Sequence, residues 1–143
     1  MAEALPQVFF LPMGDGQRLC IFHPAQGGTA RGHVLYLHPF AEEMNASRRM
    51  AAATARAMAA DGWAVLQIDL LGCGDSSGML EDATWKAWVQ DGVAAAQWLG
   101  QQASGPLWLW GLRTGALLAA HVAEQLPTPA NLLLWQGATN GQT

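Results

Sequence analysis

Charge is scarce in this chain. Only 13% of its 143 residues are Asp, Glu, Lys or Arg, and seven basic residues stand against eleven acidic ones, for a net charge of −4. Basic residues gather no further than the pair Arg48-Arg49, so no nucleic-acid-binding surface is expected. Cysteine is equally sparse. Cys20 and Cys73 are too few and too separated for a disulfide framework or a zinc site. A reducing, cytoplasmic location is expected, with no metal and no cofactor. The N-terminus, MAEALPQVFF, lacks the basic start and long apolar core of a signal peptide. The longest uncharged stretch, Gly92 to Leu112, matches a bilayer in length. It is interrupted by Gln97, Gln101, Gln102, Ser104, Gly105 and Pro106, so no membrane span is expected.

What the chain does hold is apolar surface. Hydrophobic residues make up 51% of it, enough for one domain, residues 1–143, with a core of real size. Two short apolar runs, Gln7–Leu11 and Arg18–His23, flank the turn signal Met13-Gly14-Asp15-Gly16 and read as an antiparallel hairpin at a sheet edge. From residue 32 onward strands alternate with helices. A strand at Gly32–Leu37 leads to a helix from Arg48 to about Ala60, capped by Ser47. A strand at Trp63–Ile68 leads to a helix capped by Asp82 or Thr84, whose Trp85, Trp88, Val89, Val93, Ala96 and Leu99 recur at helical spacing. A strand at Leu107–Trp110 leads to a helix ended by Pro127 and Pro129, and Asn131–Trp135 is a sixth strand. This alternation predicts the α/β class: a mostly parallel twisted sheet with helices on both faces. The site is then expected in loops at the carboxyl ends of the strands. Three qualify: His38–Glu43, Gly72–Gly78 and Leu112–Gly115.

The third loop organises the other two. Gly111-Leu112-Arg113-Thr114-Gly115 joins a buried strand to a helix by a Gly-x-x-x-Gly turn, the frame of a nucleophile elbow. Such a turn brings strand and helix backbones too close for larger side chains and thrusts its central residue out in front of the helix. In α/β hydrolases that residue is Ser, less often Cys or Asp. Here it is Arg113, whose guanidinium stays protonated and has no lone pair with which to attack a carbonyl.

With the three loops placed, the chain resembles the amino-terminal half of an α/β hydrolase. More narrowly, LHPFAEEMNASRRM, IDLLGCGDSSG, DATWKAW and LWGLRTGALLA together resemble the second type of exosortase A system-associated hydrolase, a bacterial group encoded beside exopolysaccharide and protein-sorting genes. The resemblance runs over nearly all of residues 7–135, and an Arg at the elbow is in keeping with that group. It implies an α/β-hydrolase-like partial domain lacking the last strands. The acid and histidine of a Ser-His-acid triad would follow the elbow in chain order, beyond the sixth strand. His121 falls in the body of the helix after the elbow and is no substitute.

The resemblance also gives His38 the place of the oxyanion-loop histidine, with the backbone N–H groups of Phe40 and Thr114 facing a developing oxyanion. A purely structural loop turned by Pro39 is the alternative. Arg113 has two readings. Either it binds an anion together with the helix N-terminus, or it ties the loops by an ion pair to Glu42, Asp69 or Asp75. Cys73, Ser76 and Ser77 are the nucleophile-type side chains of the glycine-rich loop, but no base stands near them in sequence. They read as turn-stabilising groups. Asp69 reads as a brace at the end of its strand.

Three functions remain open on these grounds. The chain is a hydrolase-family protein for an acyl substrate, without a complete triad. Or it is a non-catalytic module for a small anionic ligand. Or it is a partial domain completed by a partner chain, a homodimer through the sixth-strand edge being one form.

Overall fold

The structure, a computed structural model of the chain, describes residues 6–13, 16–27, 29–39, 42–73, 84–103 and 105–135. Six strands and three helices follow one another as β1 (Gln7–Met13), β2 (Gly16–His23), β3 (Gly32–Leu37), α1 (Glu42–Ala60), β4 (Trp63–Ile68), α2 (Trp85–Gln102), β5 (Leu107–Leu112), α3 (Thr114–Gln125) and β6 (Asn131–Trp135). They form one sheet in the order β1-β2-β4-β3-β5-β6. β1 and β2 are antiparallel, as are β2 and β4, while β4, β3, β5 and β6 run parallel.

Two cores result, one on each face of the sheet. Alternate residues of the central strands point to opposite faces. Val34, Tyr36, Val65, Trp110 and Leu112 meet α1. Leu35, Leu37, Leu66, Ile68 and Leu109 meet α2 and α3. All six residues of β3 are buried, as an apolar strand covered on both faces requires. α1 approaches its face on a stripe of small residues, Ala51, Ala55 and Ala59, spaced by four and almost wholly buried. α2 and α3 touch each other on the other face. A Cβ added at Gly92 would stand 2.6 Å from Cγ2 of the buried Val122.

Four boundaries differ from those expected; β2 begins at Gly16 rather than at Arg18. β1 continues through Pro12, which pairs in register with Gln17. An edge strand tolerates proline because the missing N–H costs no inner ladder bond. α1 begins at Glu42, so Ser47 lies inside the helix rather than capping it. β5 runs on to Leu112, up to the elbow itself. Of the two caps proposed for α2, Thr84 is seen in the role: its side chain accepts from the Ala87 N–H at 3.0 Å. Asp82 lies outside the described residues. At the sheet's edges Val8 and Phe10 of β1, and Leu132 and Leu134 of β6, are exposed.

The α2–α3 contact gives a direct stability test. Gly92→Ala gains about 1 kcal/mol of helix propensity but overpacks Val122, at about 1–3 kcal/mol. A net loss on the order of 1 kcal/mol is expected in urea unfolding. Adding Val122→Ala should recover part of it. A stabilised Gly92→Ala variant would contradict this packing.

Candidate functional site

The carboxyl ends of β3, β4 and β5 meet at one end of the sheet, and the elbow is where they come closest. A Cβ on Gly111 would lie 2.5 Å from the Gly115 carbonyl oxygen and 2.7 Å from the Ala116 nitrogen. A Cβ on Gly115 would collide with the carbonyl oxygens of Leu37 and His38. Both obstacles are backbone, so neither can yield. The two glycines thus let α3 start directly against the ends of β5 and β3.

Arg113 absorbs the turn. Its φ of 56° and ψ of −117° make it the one non-glycine with positive φ among the described residues. Such a conformation costs on the order of 1–3 kcal/mol and persists only where its surroundings impose it. They do so here. The Arg113 N–H donates to the Trp135 carbonyl at 2.9 Å, and its carbonyl accepts from the Ala116 N–H at 2.9 Å. The half-buried side chain stands before the first turn of α3, whose leading N–H groups carry partial positive charge. Thr114 opens that turn. Phe40, the other oxyanion-loop candidate, lies outside the described residues, as do Asp75, Ser76 and Ser77.

Asp69 does not pair with Arg113. Its Oδ2 lies 3.4 Å from Nη2 of Arg48 on α1. Neither of the other two proposed tethers can be placed, because Asp75 and the side chain of Glu42 fall outside the description. Among the described residues no carboxylate lies in an ion pair with Arg113.

His38 is buried, and both ring nitrogens are engaged. The Leu70 N–H donates to Nε2 at 3.1 Å, which places the ring proton on Nδ1. Nδ1–H then donates to the Pro39 carbonyl at 2.7 Å. Burial pushes the imidazole pKa below its ordinary value. The bond to Pro39 and the charge of Asp69 work against that, and Arg48 works with it. A neutral His38 therefore ties the loop after β3 to the loop after β4.

The loop after β4 has further anchors that the sequence reading did not single out. Arg18 of β2 and Asp91 of α2 form an ion pair of 2.9 Å between Nε and Oδ2, with the side chains 1% and 3% exposed. The same Oδ2 accepts from the Leu71 N–H at 2.8 Å. Nε1–H of Trp88 donates to the Leu71 carbonyl at 2.9 Å. Both residues occupy inward positions of their elements. Arg18 shares its face of β2 with buried Cys20 and Phe22, and Asp91 shares the face of Ala95 and Leu99. A charge at an inward position needs a partner, and that was the available signal.

Cys73 closes a turn in this loop, its N–H donating to the Leu70 carbonyl at 2.8 Å. Burial, then the charges of Asp69 and Asp91, push its thiol pKa up to about 11. The same causes push Cys20 to about 12. Neither is a ready thiolate. His121 stands on the exposed side of α3, edge-on to Trp85 with ring centroids 5.2 Å apart. Tyr36, His38, Arg48 and Asp69 border a cavity of about 20 Å³, room for about one water. Among the described residues no three His, Cys, Asp or Glu side chains form a metal-binding cluster, and no helix is long and apolar enough to cross a membrane.

Similarity to known proteins agrees with this architecture. The sequence model of the family described as Serine aminopeptidase, S33 matches residues 28–139. No curated protein matches the chain. Among solved structures, an α/β serine hydrolase without lid from Xanthomonas campestris superposes with a TM-score of 0.74 at 19% identity, over 90% of this chain and 69% of that one. An α/β serine hydrolase homologue from Coxiella burnetii gives 0.74 at 22% identity, over 90% and 61%. The thioesterase domain from the curacin biosynthetic pathway gives 0.69 at 27% identity, over 92% and 46%. The chain thus spans between about half and about two thirds of these neighbours.

The buried histidines set a pH dependence. His23, whose Nε2 lies 2.7 Å from Gln67 Oε1, is lowered by burial against the effect of that bond, with Arg56 lowering it further. Both His23 and His38 therefore hold fewer protons folded than unfolded below the ordinary histidine pKa of about 6.5. Stability is full above that value and falls as pH drops beneath it, by up to about 1.4 kcal/mol per pH unit for each histidine. The urea midpoint should be lower at pH 5.5 than at 7.5, and the difference smaller in His23→Gln. A midpoint unchanged by pH would refute the assignment.

Proposed function

The chain belongs to the S33 serine aminopeptidase-like family of α/β hydrolases, and we propose that it is a member without acyl-transfer chemistry of its own. One observation carries this reading: the residue in the strained elbow conformation, between Gly111 and Gly115, is Arg113. An attacking group needs a lone pair at that point. A guanidinium supplies none and remains cationic at any working pH. The buried thiol of Cys73, held far from the thiolate form, offers no replacement nearby.

The motifs shared with the exosortase A system-associated hydrolases support a role beside bacterial exopolysaccharide production, in the cytoplasm. The expected result with a generic aryl ester is no turnover above buffer. Robust turnover that disappears in Ser76→Ala would overturn the proposal, because it would locate a working nucleophile outside the elbow.

A second reading is favoured by the engagement of Asp69 with Arg48, which leaves that carboxylate to another cation. In this reading the Arg113 guanidinium and the N-terminus of α3 hold a small anion, a carboxylate or a phosphate. Calorimetry with inorganic phosphate and with acetate should then show binding that Arg113→Ala abolishes and Arg113→Lys weakens. Equal binding by Arg113→Ala and the parent chain would dispose of it.

A further inference from the structure

Just after β4, residues 70–73 are held through their backbone as well as by their buried side chains. Leu70 and Leu71 are buried, and their polar backbone atoms need partners once removed from water. Four are supplied, from three segments. His38, after β3, takes the Leu70 N–H. Asp91 of α2 takes the Leu71 N–H. Trp88, one turn earlier on α2, gives its indole N–H to the Leu71 carbonyl. The Leu70 carbonyl takes the Cys73 N–H within the loop. Asp91 differs from the rest because its Oδ2 serves two donors at once, Leu71 N–H and Arg18 Nε. One oxygen therefore fixes the site loop, α2 and β2 relative to each other.

The geometry points to Asp91 as the positioning residue of the candidate site. Acting through Leu71, it holds the turn of residues 70–73 at the carboxyl end of β4, and release of that oxygen frees this turn while the sheet stays folded. This rests on the loop ends of β3, β4 and β5 forming the site, but not on what the site binds or whether it is catalytic. Failure of the ester or anion experiments leaves it standing, and its own failure leaves them untouched.

Charge state and contact geometry can be separated. In Asp91→Asn the side-chain oxygen can still accept from Leu71 and Arg18, but the acceptor is neutral and weaker. In Trp88→Phe the ring stays and only the indole donor is lost, with the Arg18–Asp91 pair intact. Cys73 reports on the loop from within. It is 6% exposed, while Cys20 on β2 is fully buried, so each thiol reacts only when its own surroundings open.

The test is thiol labelling of the 143-residue chain under native conditions. Cys20→Ala and Cys73→Ala backgrounds isolate each thiol, and urea unfolding of the same variants measures global stability. Expected is a rise of roughly tenfold or more in Cys73 labelling for Asp91→Asn, and roughly fivefold for Trp88→Phe. Cys20 labelling should rise by no more than the loss of global stability requires. Equal acceleration of both thiols in step with the urea midpoint would overturn the proposal, since the pair would then brace the whole fold. So would an unchanged Cys73 rate in both variants. Should Asp91→Asn fail to fold, Trp88→Phe alone decides: it must open Cys73 selectively.

Discussion

Everything at the site end of this molecule depends on one close approach. α3 begins so near the ends of β5 and β3 that no side chain fits at Gly111 or Gly115. The chain has a single residue in which to reverse from strand to helix. That residue must take positive φ, and its side chain must project from the tip of the turn. Glycine would relieve the strain, yet the position carries Arg113. The backbone strain of an elbow is thus retained while the side chain it presents is a cation. The scaffold fixes where a group is offered, and the residue alone determines what chemistry it can do.

A second constraint holds the chain just after β4. Charged residues are few, and two of them, Arg18 and Asp91, are spent almost wholly out of water. A buried pair of this kind adds little net stability compared with an apolar substitute. Its value is geometric, because each partner penalises any arrangement that leaves the other alone. Asp91 extends that demand to the Leu71 backbone, and the neutral His38 does the same for Leu70. The backbone just after β4 is consequently placed by buried side chains from other segments.

Much of this was legible in the sequence, and the parts that were not have physical reasons. The alternation of apolar runs and helical spacing gave the parallel sheet because each period reflects a buried face. The glycines at 111 and 115 marked the elbow because their spacing is set by a steric limit. The start of α1 is not legible in sequence because Ser47 is a good cap wherever it occurs, and only tertiary packing decides where the helix begins. Pro12 looked like a strand end because its exclusion applies to inner strands, and edge status is not local information. The partner of Asp69 was not legible either. Several cations lay within reach in sequence, and only the fold shows that α1 delivers Arg48. Arg18 and Asp91 could have been found, since both interrupt an otherwise apolar face. The tautomer of His38 could not, because it depends on a backbone N–H thirty-two residues away.

The central claim is that no attacking oxygen or sulfur stands at the elbow, and covalent trapping addresses it most directly. A fluorophosphonate reacts with an activated serine or comparable nucleophile regardless of the natural substrate, and intact-mass measurement registers a single addition. Incubated with excess reagent at neutral pH, the folded chain should keep its unmodified mass. A stoichiometric adduct, mapped to any side chain at the carboxyl ends of the strands and absent from the unfolded protein, would contradict the account.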